Sequence, residues 1–396
     1  MSFGTLALII AVALTGPLLA WSDRLRLPVI VGELAAGVVI GTTGFGAIDP
    51  HEPLLAFMAN LGFAMVMFVA GSRIPVRNKS LLKEVRVAMW QLLLVVVAAV
   101  VLGWVVAVVF RTGHAALYAV LFASSSAAVI MPLMHSLGPA GRTLNRILPQ
   151  VAVADAVCIV ALPLVLHSDN AGRAALGVII LIACTVLVFL ALLWSKKSGG
   201  WVRLRAKSKA RAFALELRVS VLVLALMAAL AQYAHVSILL AGFGLGLAVA
   251  AVGQPQRLAR QLFALTEGLF GPIFFVWLGA SLDLRDLATH PAMIGLGVAL
   301  AAGALAAHAT AVVLRLRLSA AVISAAQLGV PVAAVTTGYD LGVLQPGEGA
   351  AMLLGALLTI AATALAWRHV ARSGSKAPAE PGQGGPGGQT SSNLEP

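Results

Sequence analysis

Charge is scarce in this chain. Asp, Glu, Lys and Arg make up 11% of its 396 residues, less than half of the roughly 25% carried by a soluble domain. Apolar residues make up 60% and the mean hydropathy is +0.97, so most of this surface must face lipid or other apolar helices. That excludes a soluble globular protein and makes the usual domain-per-length prior inapplicable. Cysteine is nearly absent. Cys158 and Cys184 both lie inside apolar runs and give neither a disulfide framework nor a metal-ligand spacing. The N-terminus shows no basic n-region or small-residue cleavage site, so its first apolar run reads as a retained span. Paired acids, metal-ligand clusters and nucleophile triads at one depth are also missing. An enzyme is therefore not expected, and no cofactor is called for.

What is present is a series of long apolar runs. A helix needs about 20 such residues to cross a bilayer. About thirteen spans are expected, near 3–20, 28–47, 54–72, 87–109, 114–135, 147–166, 173–194, 213–233, 236–252, 262–280, 292–314, 318–338 and 348–367. The runs are continuous rather than alternating, which favours helices over a barrel. The fold class read from this is an all-α membrane protein.

The net charge of +12 is confined to one side. Loops after odd-numbered spans hold 23 of the 27 Lys and Arg residues, and loops after even-numbered spans hold only Arg111, Arg173 and Arg285. The asymmetry puts the N-terminus outside and the C-terminus in the cytoplasm. It also accounts for the positive charge without nucleic acid. The one long basic loop, 196–213, reads as an ordinary cytoplasmic loop or a contact for anionic headgroups. The tail from Ser373 is rich in Gly, Pro and Ser and reads as disordered.

The chain resembles itself at an offset of 209. "LPVIVGELAAGVVI" (27–40) lies over "VSILLAGFGLGLAV" (236–249), pairing Gly37 with Gly246, and "MFVAGS" (67–72) lies over "VWLGAS" (276–281). The paired spans run in opposite directions, so spans 1–6 and 8–13 are expected to be inverted repeats linked by span 7. This is the plan of secondary transporters, with substrate bound near the midplane.

One carboxylate interrupts the sixth span. Asp155, in "QVAVADAVCIVALPL" (150–164), is eight residues in from the expected start, or about 12 Å. An acid at that depth costs about 2.5–3.5 kcal/mol on insertion scales, and function is the default reading. Two other spans carry helix breakers at similar depth. The fifth contains "FASSSAAVIMPLM", with Ser124, Ser125 and Ser126; the twelfth contains "SAAQLGVPVAAVTTG", with Gln327, Gly329 and Pro331. Backbone freed by Gly and Pro inside a membrane is tolerated only around a protein-lined cavity. Spans 5 and 12 are also repeat partners. Serine, glutamine and carbonyl oxygens with Asp155 can replace the hydration shell of a small cation. One carboxylate that holds either a cation or a proton makes an exchanger.

These stretches, with "RLRLPVIVGELAAGVVIGTTGFG", "LGFAMVMFVAGSRI" and "GPIFFVWLGASLDL", resemble the cation:proton antiporter superfamily, in the branch of bacterial sodium/proton antiporters and potassium efflux systems. The resemblance covers about residues 3–367. It implies a sodium/proton antiporter-like fold with crossed, discontinuous helices and a homodimer in the cell membrane. It also implies a dimerisation domain from 1–86 and 213–285, a moving core from 87–167 and 286–370, a linker at 168–212 and a tail at 371–396. Where the family has two polar residues this chain has Ala154 and Asp155, which suggests electroneutral one-for-one exchange of Na⁺ or K⁺ for H⁺ at Asp155. The Thr-Ser of the family's fifth span falls on Ser125 and Ser126. The family's basic residue in span 11 falls on His308, a charge partner for Asp155 or a histidine bonded to a neighbouring helix. Glu33 is cavity polarity or a secondary ion relay. The alternative is a related-fold, sodium-coupled carrier of a small organic anion.

Overall fold

The computed structural model describes residues 2–21, 29–72, 81–127, 129–130, 147–166, 171–198, 215–234, 236–253, 256–282 and 284–374. The tail 375–396 and most of the basic loop, two of the features read from sequence, lie outside the described residues.

The described chain is all helical. Among its residues nine helices are long and apolar enough to cross a membrane, and three more apolar helices, Val29–Ile40, Leu217–Tyr233 and Ile238–Val252, are shorter. The nine, rather than the thirteen expected, is what length and hydropathy give. Part of the difference is physical, since twelve residues from Val29 to Ile40 rise only about 18 Å; part of the expected fifth span, 131–135, lies outside the described residues. This segment, α3, was expected to run to residue 47 but ends at Ile40. A Cβ at Gly41 would fall 2.3 Å from the Cα of Ala280. The chain turns there, Thr42 donates to the Ala280 carbonyl at 3.1 Å, and Arg285 Nε donates to the Thr43 carbonyl at 3.1 Å.

The other helices used below are α4 (Pro53–Ser72), α5 (Leu81–Phe110), α6 (Ala115–Ala123), α7 (Leu148–Leu166), α8 (Ala171–Lys197), α9 (Leu215–Tyr233) and α10 (Ile238–Val252), with α1 (Phe3–Ala13) and α2 (Thr15–Trp21) ahead of α3. Next come α11 (Gln256–Leu265), a π-helical turn at Thr266–Phe270, α12 (Gly271–Ala280), α13 (Leu284–Thr289) and α14 (Pro291–Ala309). The last are α15 (Leu318–Ser324), α16 (Gly329–Asp340) and α17 (Glu348–Gly374).

Helix α5 shows how sequence sets orientation. Val97, Val101, Trp104 and Val108 are exposed, while Leu92, Val95 and Ala99 on the opposite stripe are buried. Both stripes are apolar, so the outward one suits lipid rather than water. Elsewhere glycine brings backbones into contact. A Cβ on Gly37 of α3 would lie 2.2 Å from the Val276 carbonyl of α12, and one on Gly246 of α10 would lie 2.3 Å from the Phe68 carbonyl of α4. These are the two glycines that the 209-residue offset pairs, and their contacts fall on the second pair of matched segments. The repeat is thus visible as equivalent close crossings.

At one end of the bundle two turns are tied by a buried carboxylate. Arg111 (φ 53°) and Gly113 (φ 79°) turn the chain from α5 into α6. Glu348, fully buried at the start of α17, accepts from the Tyr118 hydroxyl and from His114 Nδ1, both at 2.7 Å, and from the Gln345 backbone N–H at 2.9 Å. The bond to Glu348 raises the His114 pKa above its ordinary 6.5, with burial working against it. The charged pair therefore contributes most below the imidazole's ordinary pKa, and that contribution fades as pH rises through the raised value. Glu348→Ala removes the acceptor shared by three donors and leaves the buried Tyr118 hydroxyl unpaired, at about 1–3 kcal/mol, and should lower the thermal unfolding temperature in detergent. His114→Asn should flatten the part of the unfolding profile that falls between mildly acid and neutral-to-alkaline pH.

Candidate functional site

Two interrupted helices meet beside α7. The first is α6, which ends at Ala123. Residues 124–126 are non-helical, and helical geometry is resumed from Ala127. Three consecutive serines promote this break, because a hydroxyl can bond local backbone in place of the helix ladder. Ser124 Oγ does so, donating to the Leu121 carbonyl at 2.7 Å. The second break separates α15 from α16, with 325–328 between them. Gly329 opens α16, and Pro331 lies in its first turn, where a missing N–H leaves no helical bond unmade. Pro331 therefore starts a half-helix rather than kinking a continuous one. Gly329 packs against scaffold helices: a Cβ there would approach Leu239 Cδ1 to 2.9 Å and Met67 Cε to 3.5 Å.

The two breaks are stitched together. Ser125 Oγ donates to the Ser324 carbonyl at 2.5 Å, and Gln327 Nε2 donates to the Leu121 carbonyl at 2.5 Å. His308, fully buried near the end of α14, spans both: Nε2 lies 3.2 Å from the Ser124 carbonyl and Nδ1 3.0 Å from Ser324 Oγ. A carbonyl only accepts, so Nε2 carries a proton. The neutral ring then accepts at Nδ1 from the Ser324 hydroxyl. The cationic ring donates there instead, and the Ser324 hydroxyl donates to the Ala321 carbonyl at 2.8 Å. Both charge states fit without movement.

Asp155 approaches from α7. Its side chain is 1% exposed, Oδ2 accepts from the Ala127 N–H at 3.2 Å, and Oδ1 has no hydrogen-bond partner among the described residues. Ser126 Oγ is likewise buried with no partner among the described residues. Buried polar atoms are nearly always bonded, so unpaired oxygens here are ready-made ligands for a hard cation such as Na⁺ or K⁺.

Of the residues singled out from sequence, Ser124, Ser125, Ser126, Asp155, His308, Gln327, Gly329 and Pro331 are therefore gathered at one crossing. His308 makes no direct bond to Asp155; its contacts go to Ser124 and Ser324. Glu33 does not join them. It is buried on α3, which packs on α2 and α12, and its electrostatic neighbour is Glu267 in the π-helical turn.

Several residues were missed. Gln150 is 1% exposed and neither end of its amide has a partner among the described residues; a glutamine within an apolar span was a usable signal. Ser324 and Thr359 also serve the breaks, but nothing in their local sequence separates them from ordinary helix-packing residues.

The family model for "Sodium/hydrogen exchanger, transmembrane" matches residues 10–370. The chain belongs to the transmembrane sodium/hydrogen exchanger family. Among curated members of similar sequence, it is 26% identical over 184 residues to Iron transporter MagA of Paramagnetospirillum magneticum, covering 44% of this chain and 40% of that one. It is 27% identical over 173 residues to Probable Na(+)/H(+) antiporter 3 of Methanocaldococcus jannaschii, covering 41% and 43%. Against the Na(+)/H(+) antiporter of Enterococcus hirae identity is 25% over 142 residues, covering 35% and 36%. The chain thus spans less than half the length of each of these relatives. Its fold is that of the sodium proton antiporter MjNhaP1 from M. jannaschii, solved at pH 8, with TM-score 0.63 and 17% identity over 93% of this chain and 97% of that one.

The two serines separate tie from ligand. Ser125→Ala removes an interhelix bond and should destabilise by about 1 kcal/mol. Ser126→Ala removes an unpaired hydroxyl and should leave unfolding unchanged without added cation. It should, however, reduce the extra thermal stability that Na⁺ or K⁺ confers on the wild type.

Proposed function

We propose that this exchanger-family protein is a secondary active antiporter of a monovalent cation, Na⁺ or K⁺, against protons, working by alternating access. The observation that carries the reading is Asp155: buried, held at one oxygen by the start of a half-helix, and open at the other. In the proposed cycle the carboxyl gives its proton to one side of the membrane. A cation then takes the vacated position, using Asp155 Oδ1 with Ser126 Oγ and carbonyls freed at the breaks. Residues 87–167 and 286–370 move as the core against 1–86 and 213–285, and the site faces the other side. The cation leaves and a proton returns. His308 supports the crossing of the half-helices through Ser124 and Ser324.

One carboxylate balances one positive charge. This favours a monovalent cargo over the iron in the name of the MagA relative, and it favours electroneutral exchange. An organic-anion carrier, the alternative left by the residues alone, is disfavoured by membership of the exchanger family and by the carboxylate at the crossing. The loop charges support a cell-membrane protein with the N-terminus outside. The apolar outer surface of α1 and α2, with Leu14, Leu18 and Trp21 exposed, supports a homodimer or lipid contact.

The test is cation-induced proton release in proteoliposomes carrying a pH dye. Wild type should respond to Na⁺ or K⁺ and Asp155→Asn should be inert; unaltered exchange in that variant would reject the mechanism. Ala154→Asp places a second carboxyl beside the first. Exchange should persist but become sensitive to an imposed membrane voltage, measured with a potassium gradient and ionophore.

A further inference from the structure

We propose that Thr359 is a positioning residue that sets cation selectivity by fixing the side-chain oxygen of Gln327 at the second helix break. The proposal rests on the antiporter reading above. In each half of the chain, the helix after the interrupted one sends an oxygen to the break. In the first half this is Asp155 of α7, accepting from the Ala127 N–H. In the second it is Thr359 of α17, whose Oγ1 accepts from the Gln327 N–H at 3.2 Å. The Thr359 hydroxyl proton goes to the Ala356 carbonyl at 2.7 Å, which leaves the oxygen to accept. One turn further on, Thr363 Oγ1 donates to the Val322 carbonyl at 3.3 Å, on the other side of the same break. Both threonines are fully buried.

The two halves thus use different chemistry for one structural task. A carboxylate serves the first break and is itself the group that must change partners during transport. A hydroxyl serves the second, carries no charge at any working pH, and can remain in place throughout the cycle. Its effect reaches Gln327, which is held at two points: the backbone N–H on Thr359 and the side-chain Nε2 on the Leu121 carbonyl. With Nε2 committed, Oε1 is the remaining polar end of the side chain. An oxygen anchored in this way cannot follow the radius of whichever ion arrives. Ligand flexibility is one of the factors that decides discrimination between hard cations, so an anchored ligand selects by size and a loosened one discriminates less.

The experiment compares wild type, Thr359→Val and Thr359→Ser in proteoliposomes, reading proton release against concentration for Li⁺, Na⁺ and K⁺. Valine keeps the shape and removes the acceptor. It should raise the KM for the preferred cation roughly five- to tenfold and narrow the ratio between the best and worst cation, with a smaller change in kcat. Serine keeps the hydroxyl and should restore both the KM and the ratio. If the valine protein does not assemble, Thr359→Ala is read in the same way. A valine or alanine variant that folds poorly but keeps the wild-type KM ratio would overturn the positioning role and leave the antiporter intact. A wild type releasing no protons with any of the three cations would overturn the antiporter reading, and this proposal with it.

Discussion

A peptide N–H or C=O without a partner in a membrane interior costs several kcal/mol, and this protein interrupts two helices there. Everything around the crossing answers that constraint. Ser124 and Ser324 turn their hydroxyls back on their own helices, Ser125 and Gln327 donate across to the opposite chain, and His308 donates to the carbonyl at the end of α6. Asp155 and Thr359 accept the exposed N–H groups on the far side of each gap. The oxygens without such a bond, Asp155 Oδ1 and Ser126 Oγ, are then conspicuous. Among the described residues they lack a partner where their neighbours are bonded, and the proposed ion site rests on them.

The same constraint explains why a single acid suffices. A carboxylate alone in hydrocarbon would be expelled or neutralised. Here it is received by a half-helix terminus, whose backbone N–H is a fixed and uncharged partner. The fold provides the polar surroundings, so the sequence needs few charged residues to provide the chemistry.

Much of this could be read in advance because membrane proteins concentrate their signals. Asp155, the serine triplet and Gly329 with Pro331 stand out against long apolar runs, and the crossing brings them together. Gly37 and Gly246 were matched by offset, and their close backbone contacts are equivalent. The failures have physical causes. Apolar content does not determine helix length, so α3 was drawn too long; after Ile40, Gly41 packs against the end of α12 and Thr42 bonds to it, which ends the helix. His308 lay at a basic family position, but its bonds depend on which carbonyls the breaks expose, and that is set by tertiary geometry. Thr359 and Ser324 look like any small polar residue in a packed helix. Only the position of a break more than thirty residues away gives Thr359 its role.

The glycine crossings of α3 on α12 and α4 on α10 carry a mechanical implication. Where main chains touch with no side chains between them, there are no rotamers to rearrange, and neither surface can creep past the other. Each pair behaves as one stiff girder. Any sliding must be borne where longer, softer groups intervene, and at the mouth of α16 these are the thioether of Met67 and the isobutyl group of Leu239 against bare Gly329. An unbranched, polarisable side chain facing a residue with none is a bearing surface, and it would put any plane of slip beside the proposed ion site.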